Sequence, residues 1–274
     1  MQITEILAKD LSDVLRKCPA LQKQRRLPEE IYPPFSISLG HLVMFSLWPL
    51  AVTAVDDPTL PASEQNPFPL ELQTFLMIRF YSEISAEGLQ EMSHNDKMRD
   101  YCEWLYTDCT DGVVTGVGCY GKNYGHFAIH TLPPTVATLA IVNSYQSYTL
   151  HTRAFPRDLI SCDLSQNNLF GPVELRTLPS KLVGLMLPQN QLIGPIDLTS
   201  LPQTLKYLYL HRNSIWQAVV LYSDLPPNIE TIMLSDYRAS QPSNRIGRVR
   251  ALYPESRLKN PKFVFKDFRS RQLQ

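Results

Sequence analysis

A strict internal period constrains this chain more than any bulk property. Asn167, Asn190 and Asn213 are evenly spaced, and the corners Leu132-Pro133, Phe155-Pro156, Leu178-Pro179, Leu201-Pro202 and Leu225-Pro226 keep the same interval, the last being longer by a single position. Two independent markers in one register define five repeats over residues 132–237. A unit of this length holds a short strand and a return segment, and neither can bury its apolar side alone. Stacking supplies the core, so Leu182, Leu185 and Leu187 are expected to meet Leu205, Leu208 and Leu210 of the next unit. The asparagine follows each strand, where the chain turns inward and backbone polar groups lose water. A carboxamide carries donors and an acceptor, so Asn167, Asn190 and Asn213 are expected to form a ladder bonded to the backbone of their own and the neighbouring turn.

The pattern LxxLxLxxNxL, continued as Gly171-Pro172-Val173 and Gly194-Pro195-Ile196, resembles the leucine-rich repeat, and specifically its plant-type variant. With spacers such as GPIDLTSLP it is most similar to leucine-rich-repeat proteins of protists, kinetoplastids included. The resemblance weakens outward: Ser144 stands in the asparagine slot of the first repeat and Tyr237 in that of the fifth. It implies an α/β solenoid with short parallel strands on a concave face. Upstream, Cys102, Trp104, Cys109 and Val113 match in type and order the N-terminal cap of plant-type ectodomains, with two extra residues between Trp104 and Cys109, and with Gly116 and Gly118 in place of leucines. The resemblance implies a disulfide between Cys102 and Cys109 that pins this cap.

Residues 1–34 carry an amphipathic helical pattern, with Ile3, Ile6, Leu7, Leu11, Val14 and Leu15 at helical spacing, followed by a basic segment. Residues 35–55 contain no Lys, Arg, Asp or Glu, a run long enough to cross a bilayer. Arg25 and Arg26 before the segment and Asp56 and Asp57 after it would place the repeats outside the cytoplasm. A signal anchor, a cleaved signal peptide and a buried element of an intracellular soluble domain all remain open for this segment. A proline-rich linker (56–69) leads to a helical cap region with a degenerate first repeat (70–131). Beyond the five repeats, residues 238–274 form a basic cap or tail.

The whole chain has 26 basic and 26 acidic residues, yet from Arg238 onward ten Lys or Arg face only Glu255 and Asp267. That tail is the one place where nucleic acid or an acidic partner could be held by charge. Catalytic motifs are missing: no GxSxG, paired CxxC or nucleotide fingerprint occurs, and Gly121-Lys122 lacks the Ser or Thr of a phosphate loop. His126 and His130 have i, i+4 spacing but lie among glycines in the repeat register rather than on a zinc-binding helix. No cofactor, metal or small-molecule substrate is indicated.

A solenoid offers a surface instead. Ala140, Asp163, Met186, Tyr209 and Met233 occupy the slot between the last two core residues and should line up across neighbouring strands, flanked by Lys206, Tyr207, His211 and Arg212. Aromatic, methionine and arginine side chains are enriched at protein interfaces. The expectation is a non-enzymatic protein, membrane-anchored or exported, that binds a protein ligand through Met186, Lys206, Tyr207, Tyr209, His211, Arg212 and Met233. The alternative is an intracellular assembly subunit working through its basic tail.

Overall fold

The computed structural model describes residues 68–93, 100–235 and 244–273. The chain divides into two compact units, residues 1–78 and 79–274. The amphipathic pattern of residues 1–34, the apolar segment 35–55 and nearly all of the linker fall outside the described residues. Among the described residues no helix is long and apolar enough to cross a membrane. What is described of the first unit is the start of helix α1 (Leu70–Phe80), where the Thr74 hydroxyl donates to the Leu70 carbonyl at 2.9 Å.

The second unit is a β-solenoid. Its main sheet has seven strands: β2 (Thr107–Thr110), β3 (Val113–Tyr120), β5 (Thr138–Val142), β6 (Ser161–Asp163), β8 (Gly184–Met186), β10 (Tyr207–Tyr209) and β12 (Thr231–Met233). From β3 onward every pairing is parallel, and β2 joins β3 as an antiparallel hairpin. The hairpin loop is Asp111-Gly112, both residues at positive φ (52° and 77°), the backbone that a two-residue type I′ turn requires. Leu182, Leu185 and Leu187 are fully buried beside Leu205, Leu208 and Leu210, and Val136, Leu139, Ile141, Leu159, Cys162 and Leu164 extend the same core. Helix α2 (Ala86–Met92), capped by the Ser85 hydroxyl at 3.1 Å from the Gly88 amide, and the short pair β1 (Glu83–Ile84) and β4 (Gly125–His126) precede the regular coils.

The α/β expectation requires correction. The segments leading into the first three repeats contain no α-helix; each instead enters its Leu-Pro or Phe-Pro corner through a short 3₁₀ turn, at Ile129–Thr131, Thr152–Ala154 and Leu175–Thr177. The proline of each corner has no N–H to donate to a continuing helix, and each turn ends there. The cap region likewise combines helices with the β2–β3 hairpin. Outside the main sheet are two separate two-stranded parallel sheets, β7 (Phe170–Pro172) with β9 (Gln191–Ile193) and β11 (Trp216–Tyr222) with β13 (Arg245–Ala251), and the Ser214 amide donates to the Leu192 carbonyl at 2.9 Å. The basic C-terminal region therefore does not trail as a tail; β13 and helix α3 (Pro261–Val264) belong to the folded unit, with Val264, Phe265 and Phe268 buried.

Candidate functional site

The backbone of the candidate surface is held by a repeated polar turn. Each coil leaves its strand through a non-glycine residue in the left-handed region, at Asn143, Gln166, Gln189 and Arg212 (φ 51–57°). The next residue is Ser144, Asn167, Asn190 or Asn213. Asn190 Nδ2 donates to the carbonyls of Leu164 (2.9 Å), Leu187 (3.2 Å) and Pro188 (3.3 Å), and its Oδ1 accepts the Leu169 amide at 3.0 Å. Asn167 repeats this with Ile141, Leu164 and Ser165 carbonyls and accepts the Ser144 and Gln146 amides; Asn213 repeats it with Leu187, Leu210 and His211 and accepts Leu192. Each amide thus satisfies groups of two successive coils that burial would otherwise leave bare.

Tyr237 lies outside the described residues, and the fourth rung comes from Asn244. Its Nδ2 donates to Leu210 and Leu234 at 2.7 and 2.6 Å and its Oδ1 accepts the Asn213 and Ile215 amides. Asp267 closes the end, its Oδ2 accepting the Leu234 amide at 2.9 Å and also the Ser235 amide. Burial pushes the Asp267 carboxyl up to about 6, against the pull of those amides and of Lys262. At the other end, Cys102 and Cys109 are disulfide-bonded, joining a 3₁₀ turn to β2, while Cys119 and Cys162 are free and buried.

Upon this frame the parallel register aligns Ala140, Asp163, Met186, Tyr209 and Met233 in one row across five strands. All five are half-buried, as expected of side chains standing on the solvent face of a sheet. Tyr207 and His211 stand two residues either side of Tyr209 on the same face, with ring centroids 6.4 and 6.2 Å from it. The Tyr207 hydroxyl donates to Glu230 Oε2 at 2.7 Å, and this carboxylate, 3.9 Å from Lys206 Nζ, raises the Tyr207 phenol pKa by accepting its proton. Arg212 is the exception among the expected residues: it occupies the left-handed turn beyond β10 rather than the sheet row.

The same face has a second end that the residue pattern did not single out. Tyr106 and Tyr120 meet edge to face at 6.0 Å, and the Tyr120 phenol pKa is raised by burial and by the nearby Asp163 and Asp108 carboxylates. Between the two aromatic groups one row holds Gly116, Thr138, Ser161 and Gly184 and the next Gly118, Ala140, Asp163 and Met186, in register across β3 to β8. Four strand spacings separate β3 from β10, about 19 Å. The signal for Tyr120 was available: it lies two residues beyond Gly118 and so on the same face of β3.

His126 and His130 lie elsewhere, in a cleft of about 430 Å³ that also takes in His151, Tyr148 and Phe170. Burial and the neighbouring Arg79 lower the His130 pKa. Among the described residues no group of His, Cys, Asp or Glu is arranged to hold a metal ion.

No protein-family model matches the sequence, and no curated protein matches it. Several solved structures are similar over about two thirds of the chain. A pollen receptor kinase 3 structure is 18% identical with a TM-score of 0.45, the match covering 67% of this chain and 97% of that one. A plant ice-binding protein is 13% identical with a TM-score of 0.40, covering 65% and 72%. The leucine-rich-repeat ectodomain of the Arabidopsis thaliana membrane receptor kinase GASSHO1/SCHENGEN3, in complex with CASPARIAN STRIP INTEGRITY FACTOR 2, is 14% identical with a TM-score of 0.30; the match covers 67% of this chain and about a third (34%) of that longer one. Residues 113–235 form a solenoid of stacked parallel strands.

Proposed function

We propose that this chain is a non-enzymatic leucine-rich-repeat protein, of the plant and protist type and with an N-terminal cap in residues 70–131, that holds a protein partner against the solvent face of its main sheet. The partner engages Met186, Tyr207, Tyr209, His211 and Met233, with Lys206 and Arg212 at the margin. In this reading the chain is exported or anchored through residues 35–55, and the partner is met outside the cytoplasm. The observation that supports it is the row Met186–Tyr209–Met233, large side chains in strict register on strands whose own positions are held by the asparagine rungs. Aromatic side chains lose little conformational freedom on contact, and together with the adaptable, polarisable methionines they bury much apolar area.

Selection from a random-peptide display library tests the proposal, with counter-selection on a Met186→Lys/Tyr209→Glu double variant. Peptides enriched on the wild-type chain should lose about 30-fold or more in affinity for the variant, the effect of removing one hot spot. Selection that yields no binder, or binders indifferent to the double substitution, overturns the assignment of this face.

A further inference from the structure

The outer strands carry a second exposed surface of different chemistry. The strands β7, β9 and β11 turn Phe170, Pro172, Ile193, Trp216, Val219 and Leu221 to solvent. Trp216 is 79% exposed although it sits in a strand rather than a loop. On the next strand three arginines face out in the same register: Trp216 lies opposite Arg245, Val219 opposite Arg248 and Leu221 opposite Arg250. None of the three arginines has an ion-pair partner among the described residues. Gln272 Nε2 donates to the Gly247 carbonyl at 3.3 Å, which brings the turn carrying Arg269 and Arg271 alongside as well. Residues 170–172, 191–195, 214–221 and 245–250 contain no Asp or Glu.

A contiguous apolar face on rigid strands calls for a cover, and here the cover must be apolar and anionic together. A second copy of this face would set arginines against arginines. Nucleic acid would satisfy the cations, but Pro172, Ile193, Val219 and Leu221 have no π-face on which a base could stack and would lose contact with water against phosphates. A bilayer interface satisfies both demands: tryptophan and aliphatic side chains enter the boundary between headgroups and acyl chains, while arginines on the adjoining strand reach lipid phosphates. We propose that the β7–β9–β11–β13 face docks the solenoid on an anionic phospholipid surface, with Trp216 as the inserted anchor and Arg245, Arg248 and Arg250 as the headgroup contacts. This contact is separate from the segment 35–55 and from the face assigned to the protein partner.

The test is co-sedimentation of the full chain with vesicles of phosphatidylcholine alone or mixed with phosphatidylserine. Binding should require phosphatidylserine and weaken with salt. Arg245→Gln/Arg248→Gln/Arg250→Gln should lower it by about 100-fold, from roughly fivefold for each charge at the surface. Trp216→Ser should lower it by about tenfold through lost apolar burial, while the triple Arg→Lys variant should stay within a few-fold of wild type. Circular dichroism of each variant establishes that the fold is kept. Vesicle binding unchanged by these substitutions would place the contact elsewhere in the chain and overturn the proposal. So would binding of a single-stranded oligonucleotide that displaces vesicles and fails in the same variants, which would assign the face to nucleic acid.

Discussion

Replacing Asn190 by alanine should cost far more than an average substitution, and the reason can be counted. The side chain is 8% exposed and serves four backbone groups of two successive coils. Its two amide hydrogens are best placed on Leu164 O at 2.9 Å and Leu187 O at 3.2 Å, and its oxygen takes the Leu169 amide at 3.0 Å. Alanine leaves the buried Leu169 amide without a partner, while the Leu164 and Leu187 carbonyls each lose one of two donors and keep the amides of Asn167 and Asn213. At about 1–3 kcal/mol for the orphaned amide and about 0.5–1 kcal/mol for each bond lost at the two carbonyls, the loss comes to about 2–4 kcal/mol. Asn190→Asp has the same shape but keeps only the acceptor, so its carboxylate faces carbonyl oxygens at pH 7. Burial and those carbonyls hold the folded-state pKa of the introduced acid above its unfolded value. The folded protein then binds the additional proton, and this variant should regain stability as pH falls. Guanidinium denaturation gives the totals, and hydrogen exchange at the Leu169 amide gives the local effect. An alanine loss below about 1 kcal/mol, or a Leu169 amide as protected as in wild type, would refute the view that the rung holds adjacent coils together.

The closing acid makes a related prediction. With Asp267 pushed from 3.8 up to about 6 in the fold, its protonated form is favoured by folding, so its contribution is fully present below about pH 4 and is lost as pH rises through 6, a loss of up to about 3 kcal/mol. Asp267→Asn should therefore stabilise the chain at pH 7 by about 1–3 kcal/mol and flatten the thermal stability profile between pH 4 and 6; an unchanged slope would contradict it. Reduction, or a Cys102→Ser/Cys109→Ser pair, reopens a loop with a sequence separation of 7 and should cost about 2–3 kcal/mol by chain entropy, read as earlier loss of β2–β3 amide protection with the later coils unaffected.

What could be read from the residues follows from which positions a repeat constrains. A coil must bury the same slots and turn at the same point as its neighbours, so Leu182, Leu185, Leu187 and Asn190 recur and fix a common numbering. That numbering aligns Met186 with Tyr209 and Met233, because in parallel strands equal offsets give equal heights. Beyond the constrained slots the period carries no information. The left-handed residue of each turn is Asn143, Gln166, Gln189 or Arg212, three amides and a cation, so the turn does not fix its charge; Arg212 could thus be placed on the binding row by charge alone. The fourth amide was hidden by an insertion: Asn244 follows Asn213 at a separation of 31, well beyond the repeat interval, and only the fold brings it to the rung. The outer strands show the same limit. Phe170, Ile193 and Trp216 do recur at the repeat interval, but their outward orientation appears only once β7, β9 and β11 are seen as outer strands, and their arginine neighbours come from a segment with no repeat at all. A side chain such as Trp216, large, exposed and in a position that coil stacking does not require, is the kind whose presence stability does not explain, and for that reason it is the better guide to what the surface meets.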